Sequence, residues 1–346
     1  MIDNILIDEY TKISKMIVKV QNIKNKSVLI TGANGLIGSY IVNYLNYLNK
    51  EFDFNITIYA MSRSMCKLEK LFGAYSGVEF VEQDLNETLK FNKDVDFIIH
   101  TASNAHPIAF SQDPVGTMKT NLFGTMNLLE FAKENNAKFL YISTGEIYGN
   151  NIDNKAFTEN YSGVIDTKAV RSCYPESKRA AETLCMAYNS QYEVKTNIVR
   201  LCYVYGANIT ETNSRADAQF LRNALNHEDI VMKSEGLQRR TYCYVADAVS
   251  AIFFVLLNGK NSEFYNVSNP DSIVTVREYA QILADISGVK LVFELPDDIE
   301  KRGYSKSADS ILDSTKLQNL GWKPLYGIKD GLTHSYKIKE ESFTKC

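Results

Sequence analysis

Ser27-Val28-Leu29-Ile30-Thr31-Gly32-Ala33-Asn34-Gly35-Leu36-Ile37-Gly38 is the stretch that decides the fold. Its first five residues are an apolar run without alternation, the pattern of a strand buried on both faces. Glycines at 32, 35 and 38 follow as G-x-x-G-x-x-G, and then a helix with Ile37, Ile41, Leu45 and Leu48 on one face. Strand, glycine turn and helix in that order make a dinucleotide site. Small residues let the backbone approach a pyrophosphate, and the helix N-terminus supplies N–H donors and the positive end of a dipole. Gly32, Asn34, Gly35, Leu36, Ile37 and Gly38 are the candidate contacts. A tight strand-to-helix turn without ligand is the plainer alternative.

Outward from this turn, apolar runs recur at 56–61, 78–81, 95–100, 139–143 and 196–201. Helical segments lie between them, notably 114–134, where Pro114 suits a first turn, and 175–190. Such alternation predicts an α/β fold, a Rossmann-type doubly wound parallel sheet. After about 206, short helices near 215–227 and 275–287 mix with short strands, which reads as a smaller C-terminal α/β substrate-binding lobe. The expected division is an N-terminal helical extension over 1–24, a dinucleotide-binding domain over 25–206 and a nucleotide-sugar-binding lobe over 207–346. Some exchange of chain between the last two is expected. A length of 346 residues suits two domains.

Composition removes other classes. Hydrophobic residues make 45% and charged ones 23%, enough apolar surface for a large core. Thirty-eight Lys+Arg against 41 Asp+Glu leave a net charge of −3, too balanced for a nucleic-acid partner. The longest uncharged apolar stretch, Ala248 to Leu257, falls short of the ~20 residues a membrane helix needs. The first ten residues carry acids and no basic cluster, so no secretory signal is read there. Six cysteines without a C-x-x-C pair read as reduced thiols of a cytoplasmic chain. Histidines at 100, 106, 227 and 334 are too scattered for a metal site.

The second strand should end on the residue that reads the cofactor ribose, usually an acid where NAD is bound. This chain has Ala60-Met61-Ser62-Arg63-Ser64 instead. Arg63 binds a 2′-phosphate, stacks on adenine or is a solvated loop charge, which leaves NAD against NADP open. Asp84 and Leu85, after the third strand, contact the adenine edge or merely cap the strand. Tyr174-Pro175-Glu176-Ser177-Lys178 puts a phenol and an ammonium one helical turn apart. With 21 tyrosines such pairs arise by chance, but this one opens the helix between the fifth and sixth strands. The lysine and the helix N-terminus are expected to lower the tyrosine pKa toward that of a general base. Upstream, Tyr141-Ile142-Ser143-Thr144-Gly145-Glu146-Ile147-Tyr148-Gly149 leaves the fifth strand. Thr144 can donate to a substrate oxygen, and Glu146 is a carboxylate at the same centre or a loop acid.

From about Lys26 to about Leu332 the chain resembles the extended short-chain dehydrogenase/reductases of the NAD-dependent epimerase/dehydratase family, in its nucleotide-sugar branch. The resemblance rests on T-G-A-N-G-L-I-G at 31–38, I-I-H-T-A at 98–102, K-T-N-L-F-G-T at 119–125 and I-S-T-G-E-I-Y-G at 142–149. It continues through Y-P-E-S-K at 174–178, R-R-T-Y-C-Y-V-A-D at 239–247, Y-N-V at 265–267 and L-G-W-K-P at 320–324. It implies that Tyr174 takes the proton of the sugar C4 hydroxyl while hydride leaves C4, with Thr144 orienting that hydroxyl and Lys178 binding cofactor. It further implies cofactor contacts at Thr101 and Ala102, support from Asn121, and nucleotide or diphosphate contacts at Arg215, Arg240 and Arg302. Arginine suits that task because its planar fork pairs with phosphate oxygens.

Within the family, R-S-C-Y-P-E-S-K-R-A-A-E-T-L-C-M-A-Y at 171–188 looks most like UDP-glucuronate decarboxylases. Their active strand reads T-S-E; this one reads T-G-E, where the 4,6-dehydratases have T-D-E. A missing acid at 145 beside a retained Glu146 favours decarboxylation. A 4-epimerase, a 4,6-dehydratase, a simple dehydrogenase or reductase of a nucleotide sugar, and a non-catalytic dinucleotide-binding regulator are the alternatives. Departures from the pattern are Tyr203 for an asparagine, Ala207 for a proline, Ser305 where an acid commonly follows the arginine, and His106-Pro107 in a substrate-facing loop. The family's habit of pairing two helices with their copies implies a homodimer, which Leu128, Leu129, Leu184 and Met186 would permit, though core packing explains them equally well.

Overall fold

A computed structural model of the chain describes residues 2–210, 213–294 and 309–344. Twelve strands are present among them. They are β1 (Ser27–Thr31), β2 (Thr57–Ser62), β3 (Val78–Glu82), β4 (Phe97–His100), β5 (Lys138–Thr144), β6 (Thr196–Leu201), β7 (Tyr203–Tyr205), β8 (Ile230–Met232), β9 (Arg239–Tyr244), β10 (Glu263–Val267), β11 (Ile273–Thr275) and β12 (Leu291–Phe293).

Seven of them form one sheet in the order β10-β6-β5-β4-β1-β2-β3. Every pairing in it is parallel. The apolar runs therefore bury both faces, with helices as the outer layers. The chain builds outward from β1 through β2 to β3, then returns to β4 on the other side of β1. Thr31 thus sits between Met61 and His100, and the loops after β1 and β4 diverge. The crevice they leave at this switch point is where open α/β sheets bind ligands.

Past β6 the chain makes a three-stranded sheet, β11-β9-β7, and a β8–β12 pair, but β10 returns to complete the main sheet beside β6. Local chemistry agrees with these elements. Asp113 accepts from the Gly116 amide at 2.9 Å and Pro114 takes a first-turn position, so a helix starts at Pro114–Lys119. That helix widens into a π turn at Thr120–Gly124 before Thr125–Asn135. Thr275 and Glu278 form a reciprocal capping box on Val276–Ser287.

The N-terminal segment forms the helix Ile2–Met16 and a short turn at Val20–Ile23. Tyr10, Ile13 and Ile17 are buried in the main core. Glu9, wholly buried, accepts from Tyr40 Oη at 2.6 Å and Tyr244 Oη at 2.8 Å and pairs with His334 Nδ1 at 2.7 Å. One carboxylate thereby joins the N-terminal helix, the helix Leu36–Phe52, the start of Val245–Asn258 and the C-terminal helix Ile328–Thr344. Removing it strands two buried tyrosine hydroxyls and takes the partner from a half-buried imidazole. Glu9→Ala is expected to lower unfolding stability by about 3 kcal/mol, with Glu9→Gln intermediate. Urea midpoints unchanged from wild type would show that the clamp contributes nothing.

Candidate active site

The switch-point crevice opens into a cavity of about 610 Å³, within the size range of ligand sites. At one end is the glycine turn. Gly32 adopts φ +65°, and a Cβ there would meet Ala102 Cα at 2.8 Å. A Cβ on Gly38 would strike the Gly32 carbonyl oxygen. Both positions therefore demand glycine. Gly35 caps the helix Leu36–Phe52 without any side-chain bond, so the first amides, from Leu36 onward, are left for a ligand. Such an uncapped N-terminus at a switch point fits a pyrophosphate. Thr101 Oγ1 donates to Thr31 O at 2.6 Å, and Asn34 Oδ1 accepts from Ser62 at 3.0 Å, which fixes the turn against β2 and β4.

Arg63 is exposed on the cavity rim, near Lys67 and exposed Asp84, while Leu85 is buried. Asp84 Oδ1 accepts from the Asn86 amide at 2.9 Å. These groups line the cofactor end.

The helix Cys173–Tyr192 carries Tyr174 and Lys178 inward, at 7% and 3% exposure. Lys178 Nζ donates to Ile142 O at 2.8 Å and lies over the Tyr141 ring at 4.7 Å. Burial pushes its pKa down to about 7, against the pull of Glu182. The tyrosine departs from the sequence expectation. Burial, and then the charge of Glu146, hold Tyr174 well above the usual phenol value, while a Thr144 hydrogen bond, Arg215 and Arg171 pull it back only in part. In the chain alone desolvation outweighs the nearby positive charges.

Thr144 ends β5 and caps the turn Gly145–Tyr148, accepting from the Glu146 amide at 3.2 Å. Glu146 pairs with Arg171 at 3.1 Å. Asn121 occupies the π turn, where its Nδ2 donates to Ser177 Oγ at 2.9 Å and its Oδ1 accepts from Ser103 at 2.8 Å. The turn is tied to β1 through a buried relay. Thr125 Oγ1 spends its proton on Asn121 O at 2.6 Å, so its oxygen accepts from His100 Nε2 at 3.2 Å. His100 Nδ1 is then the acceptor for Thr31 Oγ1 at 2.8 Å. The ring is neutral, its pKa driven down to about 3 by burial and by Lys178.

Arg215 and Arg240 line a third wall. Arg240 lies 4.4 Å over the Tyr203 ring and donates to Gln238. Arg302 and Ser305 lie outside the described residues. Sequence reasoning missed Phe110, whose ring stacks on Tyr174 at 4.6 Å and 22°, and Leu312, which covers Gly145. Both come from segments without a motif, and only the fold brings them to the site.

A glycine turn facing a buried Tyr–Lys pair across one cavity defines a dinucleotide-dependent enzyme. Comparison with known proteins narrows this. The model of the NAD dependent epimerase/dehydratase family matches residues 28–268, and the chain belongs to that family. UDP-glucuronic acid decarboxylase 6 of Arabidopsis thaliana is 33% identical over 324 residues, 92% of this chain and 89% of the relative. UDP-glucuronic acid decarboxylase 1 of Danio rerio is 30% identical over 311 residues, 89% of this chain and 71% of the relative. An epimerase from Methanothermobacter thermautotrophicus superposes with TM-score 0.81 at 18% identity over 98% of this chain and 96% of its own. A dTDP-glucose 4,6-dehydratase from Streptomyces venezuelae, crystallised with NAD, gives 0.77 at 23% over 92% and 98%. These two structures speak for the fold.

The buried ammonium has a measurable signature. Unfolded lysine titrates near 10.4 and the folded group near 7, so between those values the native state binds fewer protons and stability rises with pH. Lys178→Met removes that rise while losing the Ile142 bond at every pH. Relative to wild type the variant is expected to be at its best near pH 6.5 and to worsen by at least ~1 kcal/mol toward pH 10. A difference independent of pH in urea titrations would contradict a buried charge.

Proposed function

We propose that this chain binds NAD and oxidises C4 of a nucleotide-diphosphate sugar, with UDP-glucuronate the substrate and loss of CO₂ the outcome. The observation that carries the reading is the convergence of Thr144, Tyr174 and Lys178 at the inner end of the cavity that begins at the glycine turn. The names of the 30–33% identical relatives support the substrate. Bound NAD would accept hydride from C4 and later return it. Thr144 orients the C4 hydroxyl, and Tyr174 takes its proton and gives it back. Lys178, held by Ile142 O, sets the local charge. Once C4 is a ketone the C5 carboxylate is a β-keto acid. Its C5–C6 bond breaks, CO₂ leaves, and the electron pair passes into an enolate on the C4 oxygen, where Tyr174 and Thr144 can donate. A proton then adds at C5. This route requires no acid at position 145.

The sequence expectation of a homodimer is kept, on different residues. Leu128 and Leu129 are wholly buried core, and Leu184 and Met186 are half-buried against it. The exposed apolar side chains on the same helical run are Val115, Met118, Phe123 and Met126. The Cys173–Tyr192 helix packs alongside, so two such faces from two copies would close a four-helix contact. No helix of the described residues is long and apolar enough to cross a membrane. Cys66, Cys173, Cys185, Cys202 and Cys243 are unpaired thiols, which suits a reducing cytoplasm.

Incubation of the full chain and NAD with UDP-glucuronate, read by NMR and mass spectrometry, is expected to release CO₂ and a UDP-pentose. Tyr174→Phe should slow turnover by ~10³-fold or more while retaining cofactor. Unchanged UDP-glucuronate, or a wild-type rate in that variant, would defeat the reading. Phe123→Glu with Met126→Glu is expected to give a monomer by sedimentation, and an unmoved sedimentation coefficient would remove this face as the interface.

A further inference from the structure

His106 is not absorbed by the dinucleotide turn or by the Thr–Tyr–Lys centre. It lines the same cavity just ahead of Pro107–Gln112, the short helix whose Phe110 stacks on Tyr174. Its Nδ1 is buried and bonded to nothing. Beside it in the cavity lining, Arg215 Nε is likewise buried without a hydrogen bond; the guanidinium donates from Nη2 to Val204 O at 3.4 Å, and among the described residues its ion-pair neighbour is Asp217 at 3.8 Å. The two segments are held together, because the Ile108 amide donates to Ser214 Oγ at 3.2 Å. A buried nitrogen without a partner costs free energy unless a ligand satisfies it, and here two of them line one wall. Arg215 is close enough to the reacting centre for its charge to act on Tyr174.

We propose that His106 and Arg215 together form the receptor for an anionic group on the sugar ring, the carboxylate that a uronate carries and a neutral hexose lacks. The proposal rests on the nucleotide-sugar reading above and deepens it. Arginine supplies a fixed charge and a donor fork, and imidazole adds a second donor that becomes charged when an anion arrives. In the empty site burial and Arg215 hold the His106 pKa below its usual value. An incoming carboxylate reverses that balance, so binding takes up a proton and affinity rises as pH falls. The other charged or titratable groups on this side of the cavity are Tyr174, Lys178 and Arg171, from the Tyr–Lys helix and its lead-in, Glu146 after β5, Tyr203 on β7 and Arg240 on β9, with Asp217 beside Arg215. Glu146 is already paired with Arg171.

The test measures dissociation constants of UDP, UDP-glucose and UDP-glucuronate on the full chain with NAD, from pH 6 to 8, beside CO₂ release. Wild type is expected to prefer UDP-glucuronate to UDP-glucose, more so at pH 6. His106→Ala should lose ~10-fold or more of affinity for UDP-glucuronate alone. His106→Gln should recover part of that affinity without its pH dependence. Equal losses for UDP would assign His106 to the diphosphate and overturn the carboxylate receptor, as would an unaltered constant in His106→Ala or no wild-type preference for the uronate. A His106-dependent preference without CO₂ release would keep the receptor and discard decarboxylation. CO₂ release with an unchanged KM in His106→Ala would do the reverse.

Discussion

A single buried ammonium sets the geometry on which the site depends. Lys178 Nζ bonds the carbonyl of Ile142, two residues before Thr144 on the strand that delivers Thr144, Gly145 and Glu146. That bond fixes the helix bearing Tyr174 relative to the end of β5. It also leaves the ammonium in surroundings that oppose its charge, hence the lowered pKa. The same dryness raises Tyr174. The two shifts have one cause and bring the two proton affinities into conflict with solution values, which is how acid–base centres are built.

The fold holds this arrangement from behind. Glu182, one turn past Lys178, receives Arg200 Nε and Nη2 at 3.0 and 2.8 Å, and Arg200 also reaches Tyr148 Oη at 3.0 Å. β6, the Tyr–Lys helix and the turn after Thr144 are thereby linked in one buried network. From the other side the π turn at Asn121 presses on Ser177. Widening the helix by one residue aims the Asn121 amide at both Ser103 and Ser177, consistent with the tendency of π turns to mark functional positions.

Much of this was legible in the chain because it follows from short-range pattern. The unbroken apolar runs announced a doubly buried sheet, and the glycines at 32 and 38 are dictated by contacts within a few residues or one strand away. Pro114 placed its helix start correctly. The π turn within that run gave no signal, since nothing in Thr-Asn-Leu-Phe-Gly breaks a helical pattern. The Tyr174 shift runs opposite to the spacing-based expectation because charge proximity can be read from spacing and burial cannot. Leu128 and Leu129 suited a dimer face or the core equally, because helical periodicity shows a face without saying which body covers it; both are core. Glu9 looked like one acid among several in a charged preface; only the tertiary approach of Tyr40, Tyr244 and His334 makes it a clamp.

Position 145 shows how the site's chemistry is bounded by packing rather than by its own residues. A Cβ on Gly145 would lie 2.7 Å from Leu312 Cδ1. Leu312 is anchored at its backbone, so a side chain at 145 would have to turn the leucine tip aside. Its amide donates to Thr241 Oγ1 at 3.1 Å, its carbonyl accepts from Ser268 at 2.8 Å, and its side chain is buried with Ile147, Tyr148 and Phe157. An acid between Thr144 and Glu146 would have to displace that cluster or enter it unsatisfied. The glycine present at 145 supplies no acid to assist water elimination. The proposed oxidation at C4 draws on bound NAD together with Thr144, Tyr174 and Lys178 and asks nothing of position 145. A reaction whose second half proceeds by loss of CO₂ from a β-keto acid asks for no acid at 145, and in that respect Gly145 accords with the proposed decarboxylation.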